Sequence, residues 1–308
     1  MVKVSFVCPV FNKSKYLKDV LNALNKQTGN FEKEFIFVND GSSDNSLELL
    51  KSLTKGWKNK KILSQKNKGP ASATQRGIDF STGDYIKLVG GDDVLSPNCT
   101  KTLLDVLRQS NAVAVFSRYK LVENIKKFDF ENKPLQNLRV LKDPLQKTIL
   151  SSYSGTSPNL YCRKTIEKSG GCDLRLFIED FSLVLGLSKL GKFSFIDNVT
   201  SIGPADDPNR IMLGKQTQLI HDFNAALYYF FIENDSLPSN LKKLACLKAI
   251  GRAEKWARRI KNQSFFNKMN LLKLKLYIGD KNYLKFLKMS CLFFYDDFND
   301  EKIRYKIS

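Results

Sequence analysis

Residues 4 to 40 constrain the fold more than any other stretch. An apolar run, "VSFVCPV" (4–10), is followed by a segment whose apolar side chains recur at Leu17, Val20, Leu21 and Leu24. A second apolar run, "EFIFVND" (34–40), comes next. Strand, amphipathic helix, strand is the sequence of a parallel pair whose crossover helix covers one face. The rhythm continues with a helix from about Asn45 to Leu53, a strand at Lys61 to Ser64, and a helix from about Ala71 to Phe80. The strand "YIKLVG" (85–90), a helix near Asn98 to Arg108 and the strand "AVAVFS" (112–117) complete it. The expected class is α/β, with a mostly parallel central sheet flanked by helices. From Leu121 to Ser157 the pattern weakens, and only a helix near Pro144 to Ser151 is legible. Residues 159–197 read as strand, short helix, glycine turn, a loop carrying Glu179 and Asp180, helix and strand. Beyond Lys215 the chain reads as helical and basic, which divides it into 1–212 and a C-terminal extension, 213–308.

With 308 residues, 42% of them hydrophobic, the chain can bury a full core. A net charge of +19 favours anionic partners, without ranking nucleic acid, lipid headgroups and phosphorylated substrates. The strand beginning at Val2 leaves no room for a secretory signal. Apolar stretches such as Ala225 to Ile232 and Cys291 to Tyr295 fall well short of the roughly 18 to 20 residues that span a bilayer. The six cysteines lack CxxC pairs or zinc spacing and read as reduced thiols, so a cytoplasmic protein is expected.

Ligands of parallel α/β sheets bind at the carboxyl ends of the strands. Three groups lie at those positions: Pro9, Val10, Phe11 and Asn12 after the first strand, Asp40 to Ser43 after the second, and Asp92 and Asp93 after "KLVGG". Two adjacent carboxylates in an apolar setting raise one another's pKa unless a cation compensates, and hard cations such as Mg²⁺ and Mn²⁺ favour carboxylate oxygens. Asp40 and Asp44 also suit ordinary Asx turns, and Asp44 suits a cap on the following helix. Taken alone, "KLVGGDDVLSP" (87–97) fits the GGDEF hairpin of diguanylate cyclases, the GDD turn of RNA-dependent polymerases, and the aspartates of nucleotide-sugar glycosyltransferases. A cyclase hairpin would continue with an acidic residue and Phe, where Val94 and Leu95 stand. A polymerase would need a second, distant aspartate motif in a longer chain.

Four ordered blocks decide among these: "VSFVCPVFNKSKYLKDVLNAL", "FVNDGSSDNS", "NKGPASATQRGIDFSTGDYIKLVGGDD" and "IEDFSLVLGLSKLG". Together, over roughly residues 2 to 200, they resemble family 2 glycosyltransferases with a Rossmann-like GT-A fold. The resemblance implies an inverting transfer from a nucleotide-sugar donor, UDP-linked, to a glycan or lipid-linked glycan, assisted by Mn²⁺ or Mg²⁺. It implies Asp93 as the metal ligand, Asp92 facing the donor sugar or ribose, and Asp40 on the base edge. Pro9 to Asn12 would form the other wall of the base pocket, with Phe11 where Tyr is usual. Asn67 and Gly69 precede a helix whose N–H groups can meet an anion. Asp180 matches the catalytic base and Glu179 its acceptor-orienting neighbour, although two acidic residues opening a helix also suit its dipole.

The chain departs from its relatives at Thr74 and Gln75, which stand where Arg and Asn are common. Arg76 lies two positions late, about 200° around a helix. This departure leaves a degenerate, non-catalytic nucleotide-sugar or glycan-binding module as the alternative; charge alone suggests a nucleic-acid binder, and no nucleic-acid partner is expected. Some relatives place a metal-binding histidine after the acidic block. Here that slot falls near Asp206, Asp207 and Arg210, while the lone His221 reads as a partly buried helix residue. Lysine and apolar clusters at 252–262 and 270–289 read equally as a solvated bundle or as interfacial helices on an anionic membrane surface.

Overall fold

The computed structural model describes every residue except 132, 152, 154, 206–214, 264–266, 297–302 and 308. In chain order the elements are β1 (Lys3–Val10), α1 (Ser14–Asn25), β2 (Glu32–Asn39), α2 (Ser46–Leu53), β3 (Lys60–Ser64), α3 (Pro70–Asp79), β4 (Tyr85–Leu88), β5 (Val94–Leu95), α4 (Cys99–Ser110), β6 (Ala114–Val122) and β7 (Arg139–Leu141). They continue as α5 (Leu145–Ser151), β8 (Asn159–Cys162), α6 (Arg163–Ser169), α7 (Asp180–Leu187), β9 (Phe193–Pro204), α8 (Gln216–Glu233), α9 (Ser239–Ile260), α10 (Lys268–Tyr277) and α11 (Tyr283–Asp296).

The chain forms two compact units, each drawn from separate stretches: Met1–Pro144, Ser154–Cys172 and Gly186–Asn209 in one, Leu145–Tyr153, Asp173–Leu185 and Arg210–Ser308 in the other. The expected boundary between 212 and 213 lies outside the described residues. Two short pieces from the middle of the chain, 145–153 and 173–185, also group with the C-terminal helices. Their apolar side chains explain this: Leu145, Ile149, Phe177 and Phe181 belong to the same buried cluster as Phe231, Ala249, Trp256 and Phe294.

The first unit holds all the described strands, in the order β3-β2-β1-β4-β8-β6-β9-β5, with β7 beside β9. The pairs β1/β2, β1/β4, β2/β3 and β6/β9 are parallel, and β8 enters antiparallel between β4 and β6. Parallel strands covered on both faces read as near-continuous apolar runs. β1 and β2 do so: Val4, Phe6, Cys8 and Val10 with Phe35 and Phe37 pack against Leu17, Val20, Leu21 and Leu24 of α1. Most expected elements fall within two residues of their positions. β6 runs further than expected, to Val122, because its second half pairs with β9 across a register shift after Phe116.

The second unit is helical, built on α5, most of α7 and α8 to α11. All six cysteines are free. Among the described residues no helix is long and apolar enough to cross a membrane.

Candidate functional site

The carboxyl ends of β1, β2 and β4 are tied together by polar side chains rather than by the sheet. Asn12 sits in the left-handed region (φ 52°), a conformation Asn tolerates better than most residues. Its N–H donates to the Ser42 hydroxyl at 3.1 Å, and its Oδ1 accepts from the Ser43 N–H at 2.8 Å, so the β1 end is fastened to the turn after β2. Asp44 accepts from the N–H of Ser14 and of Ser46, each at 3.0 Å, and so caps the first turns of α1 and α2 at once. Burial opposes its charge, yet the hydrogen bonds from Ser46 and Ser14 prevail and hold the carboxyl below the usual range. The Ser46 bond, two residues on, is an Asx turn at the start of α2, whose N-cap residue is Asn45, and the Ser14 bond meets the first turn of α1, so Asp44 serves both kinds of role.

Asp40 is buried at the β2 end. Its Oδ1 accepts from the Gln65 side chain at 2.8 Å and the Lys68 N–H at 2.9 Å, and its Oδ2 from the Gly69 N–H at 2.8 Å. A carboxylate offers about four acceptor positions, so these three leave room for one further donor. Asp40 thus shapes the 65–69 loop in addition to any contact with a ligand. Gly41 makes the fit possible: at φ 72°, a Cβ there would stand 2.8 Å from the Asn67 nitrogen. Asn67 is exposed on that loop, and Gly69 precedes Pro70, the first residue of α3.

Asp92 and Asp93 have different surroundings. Asp92 is partly open (side chain 18% exposed), and its Oδ2 accepts from the Lys13 ammonium at 2.6 Å. Lys13 is itself buried, and Gly91 lets it approach: a Cβ on Gly91 would be 3.0 Å from the lysine Cγ. Asp93 is enclosed. Tyr119 donates its hydroxyl to Oδ1 at 2.8 Å, Ser157 donates to Oδ2, and Gly90 and Gly203 press close enough that a Cβ would meet the carboxylate at 2.5 and 2.6 Å. The compensating charge expected of a cation is therefore supplied in part from within, by Lys13.

A further ammonium lies beneath the pair. Lys87 of β4 is fully buried and donates to the carbonyl oxygens of Ser157 and Leu88. Burial pushes its pKa down, and the nearby Cys99 and Asp93 partly restore it. Sequence reasoning missed both lysines. The signal was present in "YIKLVG", where a lysine interrupts a strand otherwise apolar on both faces.

The set offered by Asp92, Asp93 and the adjoining hydroxyls is all oxygen, the donor chemistry that Mg²⁺ and Mn²⁺ take. Among the described residues no three His, Cys, Asp or Glu side chains stand together to hold a metal unaided. These oxygens fit such a cation only as part of its ligand set.

On α3, Thr74 is buried with its Oγ1 lacking a hydrogen-bond partner. Gln75 turns away from the strand ends: its Oε1 accepts from the Cys172 N–H at 2.8 Å and its Nε2 donates to Asp79 at 2.7 Å. Arg76 donates to the Ser64 carbonyl at 2.9 Å. Arg76 also donates to Gln65 Oε1 at 3.3 Å, the side chain whose Nε2 bonds Asp40.

In the helical unit, Asp180 opens α7 and accepts from the Phe181 N–H at 2.8 Å, while Glu179 is buried just before it. The segment leading to them is held by Asp222 of α8. That carboxylate, fully buried, accepts from the N–H groups of Phe177 (2.8 Å) and Ile178 (3.1 Å), from Gln218 (2.7 Å), and stands 2.9 Å from His221 Nδ1. His221 is thus wholly rather than partly buried, and among the described residues its Nε2 has no hydrogen-bond partner. Asp206, Asp207 and Arg210 lie outside the described residues.

A mixed nine-stranded sheet, parallel across β3-β2-β1-β4 and antiparallel where β5, β7 and β8 pair, with acidic residues at the carboxyl ends of its parallel strands, defines the class as an α/β protein of GT-A architecture. The model of "Glycosyl transferase family 2" matches residues 5–164, more than half of the chain, and the chain belongs to that family. Among curated relatives, the glycosyltransferase GlyG of Streptococcus pneumoniae is 35% identical over 117 residues, 38% of each chain. The cholesterol galactosyltransferase of Borreliella burgdorferi is 29% identical over 210 residues, 64% of this chain and 58% of that one. The matched segment thus spans less than two thirds of either relative. Among solved structures, S. aureus TarS 1-349 in complex with UDP-GlcNAc superposes with a TM-score of 0.65 at 16% identity. That match covers 94% of this chain and 81% of the other, a likeness of fold. A mannosyltransferase of Pyrobaculum calidifontis in complex with GDP-Man and Mn²⁺ gives 0.55 at 13% identity, covering 94% and 86%.

Proposed function

We propose that the chain is an inverting glycosyltransferase that moves a sugar from a nucleotide-diphosphate donor, UDP-linked, to a hydroxyl of a glycan or lipid-linked glycan. The observation that carries this reading is the convergence of Asn12, Asp40 and the Asp92/Asp93 pair at neighbouring strand ends, each fixed by its own hydrogen bonds. Family membership and the UDP-GlcNAc complex of TarS support the donor class. In this reading the 9–12 strand end, Asp40 and the 67–69 loop form the nucleotide pocket. Asp92, the more open carboxylate, meets the donor, while Asp93 is held by Tyr119 and Ser157 and completes the oxygen set. A divalent cation bound there would neutralise charge on the departing diphosphate. Asp180 takes the proton of the acceptor hydroxyl as it attacks the anomeric carbon opposite the diphosphate, and Glu179 orients the acceptor.

The test is nucleotide release from a panel of UDP-sugars with and without Mn²⁺, in wild type, Asp92→Asn and Asp180→Asn. Release that falls at least a hundredfold in both variants is expected of groups acting on the reacting atoms. Equal turnover by all three would overturn the roles. Nucleotide binding with no turnover in wild type would instead identify a non-catalytic binding module.

A further inference from the structure

α10 is apolar on two faces. Met269, Leu272 and Leu276, spaced i, i+3 and i+7, are buried in the core of the helical unit. Leu271, Leu274 and Ile278, the last just past the helix end, repeat that spacing on another side; with Tyr277 they are 55% to 77% exposed. A helix packed on a globular core normally carries polar residues there. Lysines border the row: from 268 to 288 the chain has six Lys and one acidic residue, Asp280. The neighbouring helices differ. Among the described residues, α9 exposes only Ile260 as a large hydrophobic side chain, and α11 turns Phe286, Leu287, Phe293 and Phe294 into the core.

We propose that the outer face of α10 docks on an anionic lipid bilayer surface. The Leu271–Leu274–Ile278 row enters the boundary between headgroups and acyl chains, and Lys268 and Lys275, exposed along one flank of that row, and Lys281 just beyond it sit among lipid phosphates. Both features of the face select this partner. A nucleic acid would match the lysines and leave the leucines in water. A second copy would cover the leucines and bring two basic faces together. Anionic lipid satisfies both, and does so independently of the transfer chemistry.

Flotation of the full chain with vesicles tests it, using phosphatidylcholine alone and an equimolar mixture with phosphatidylglycerol. Binding is expected only to the mixture and should weaken as salt rises. Lys268→Gln with Lys275→Gln is expected to lower partition about thirtyfold, each basic residue at such a surface being worth roughly a fivefold factor. Leu274→Gln with Ile278→Gln should lower it at least tenfold. Val140→Gln, which changes an exposed apolar residue of β7, should bind as wild type does, and circular dichroism verifies that each variant is folded. Absence of wild-type flotation, equal binding to neutral vesicles, or wild-type binding by both paired variants would each refute the proposal. So would a dimer, seen by light scattering, that the Leu274/Ile278 pair dissolves. No donor or acceptor is present in the experiment, so its failure leaves the nucleotide-release assay untouched.

Discussion

Replacing Asp222 with asparagine changes one oxygen to an amide nitrogen where every partner of the carboxylate is a donor or a histidine nitrogen. The two backbone N–H groups of Phe177 and Ile178 retain the remaining oxygen. The new NH₂ then faces the Gln218 amide nitrogen and His221 Nδ1. Gln218 cannot turn over without dropping the Arg304 N–H, which its Oε1 accepts at 2.6 Å. His221 can shift its proton to Nε2, but that nitrogen has no acceptor. One charge-assisted bond is lost and a buried donor left unmet, so the variant should lose about 2 to 4 kcal/mol of stability. Asp222→Ala strands both backbone donors as well and should lose about 4 to 6 kcal/mol. Urea unfolding followed by Trp256 fluorescence in a Trp57→Phe background reads the helical unit alone, since Trp256 is buried there against Phe294. With Asp180 as the proposed base, the asparagine variant should also lower kcat for transfer with little change in donor KM, because the disturbed segment is the one that leads to Asp180. A stability change below about 0.5 kcal/mol would refute the reasoning.

Glu34, 4% exposed, loses charge stability to burial but gains more from the Ser5 and Thr82 hydrogen bonds and from Lys3, so its folded pKa lies below the unfolded 4.5. A depressed carboxyl pKa stabilises above the unfolded value and is lost as pH falls through the folded one. Wild-type stability should therefore begin to drop as pH falls through the unfolded value and go on dropping below it, and Glu34→Gln, starting lower, should drop less in urea titrations. Asp93→Asn should destabilise by about 1 to 3 kcal/mol, because Tyr119 and Ser157 lose an anionic acceptor, and Asp92→Asn, which takes the counter-charge from the buried Lys13 ammonium, should lower the urea midpoint as well. Gln75→Ala should cost about 1 kcal/mol by freeing the Cys172 N–H, and leave UDP affinity by calorimetry unchanged. A fall in affinity would show that Gln75 reaches the donor.

The alternating strand and helix pattern was legible because it is local: two periodicities and turn residues suffice to write it. Asp44 was legible only in its bond to the Ser46 N–H, two residues on; its bond to Ser14, and those that tie Asn12 to Ser42 and Ser43, join loops about 30 residues apart. What escaped depends on partners far along the chain. Lys87 reads as a surface lysine until the Ser157 carbonyl, 70 residues on, receives its ammonium. Asp222 looks like one more polar helix residue until the backbone of 177–178 arrives. The difference between Asp92 and Asp93 is likewise invisible in "GGDD", since Lys13, Tyr119 and Ser157 create it.

The scattering of the helical unit along the chain has a consequence for synthesis. Leu145 to Tyr153 and Asp173 to Leu185 leave the ribosome before α8 to α11, yet they share a core with those helices. Ile303, which also lies in that core, follows Leu185 by about 120 residues, and translation at roughly 5 to 20 residues per second takes about 6 to 24 s to supply them. Throughout that interval Leu176, Phe177, Ile178 and Phe181 stand without their cover, next to the acidic pair at 179–180. The nascent chain is then a natural client for holding chaperones, and pausing of translation within α8 to α11 would prolong that exposure more than pausing in the sheet region.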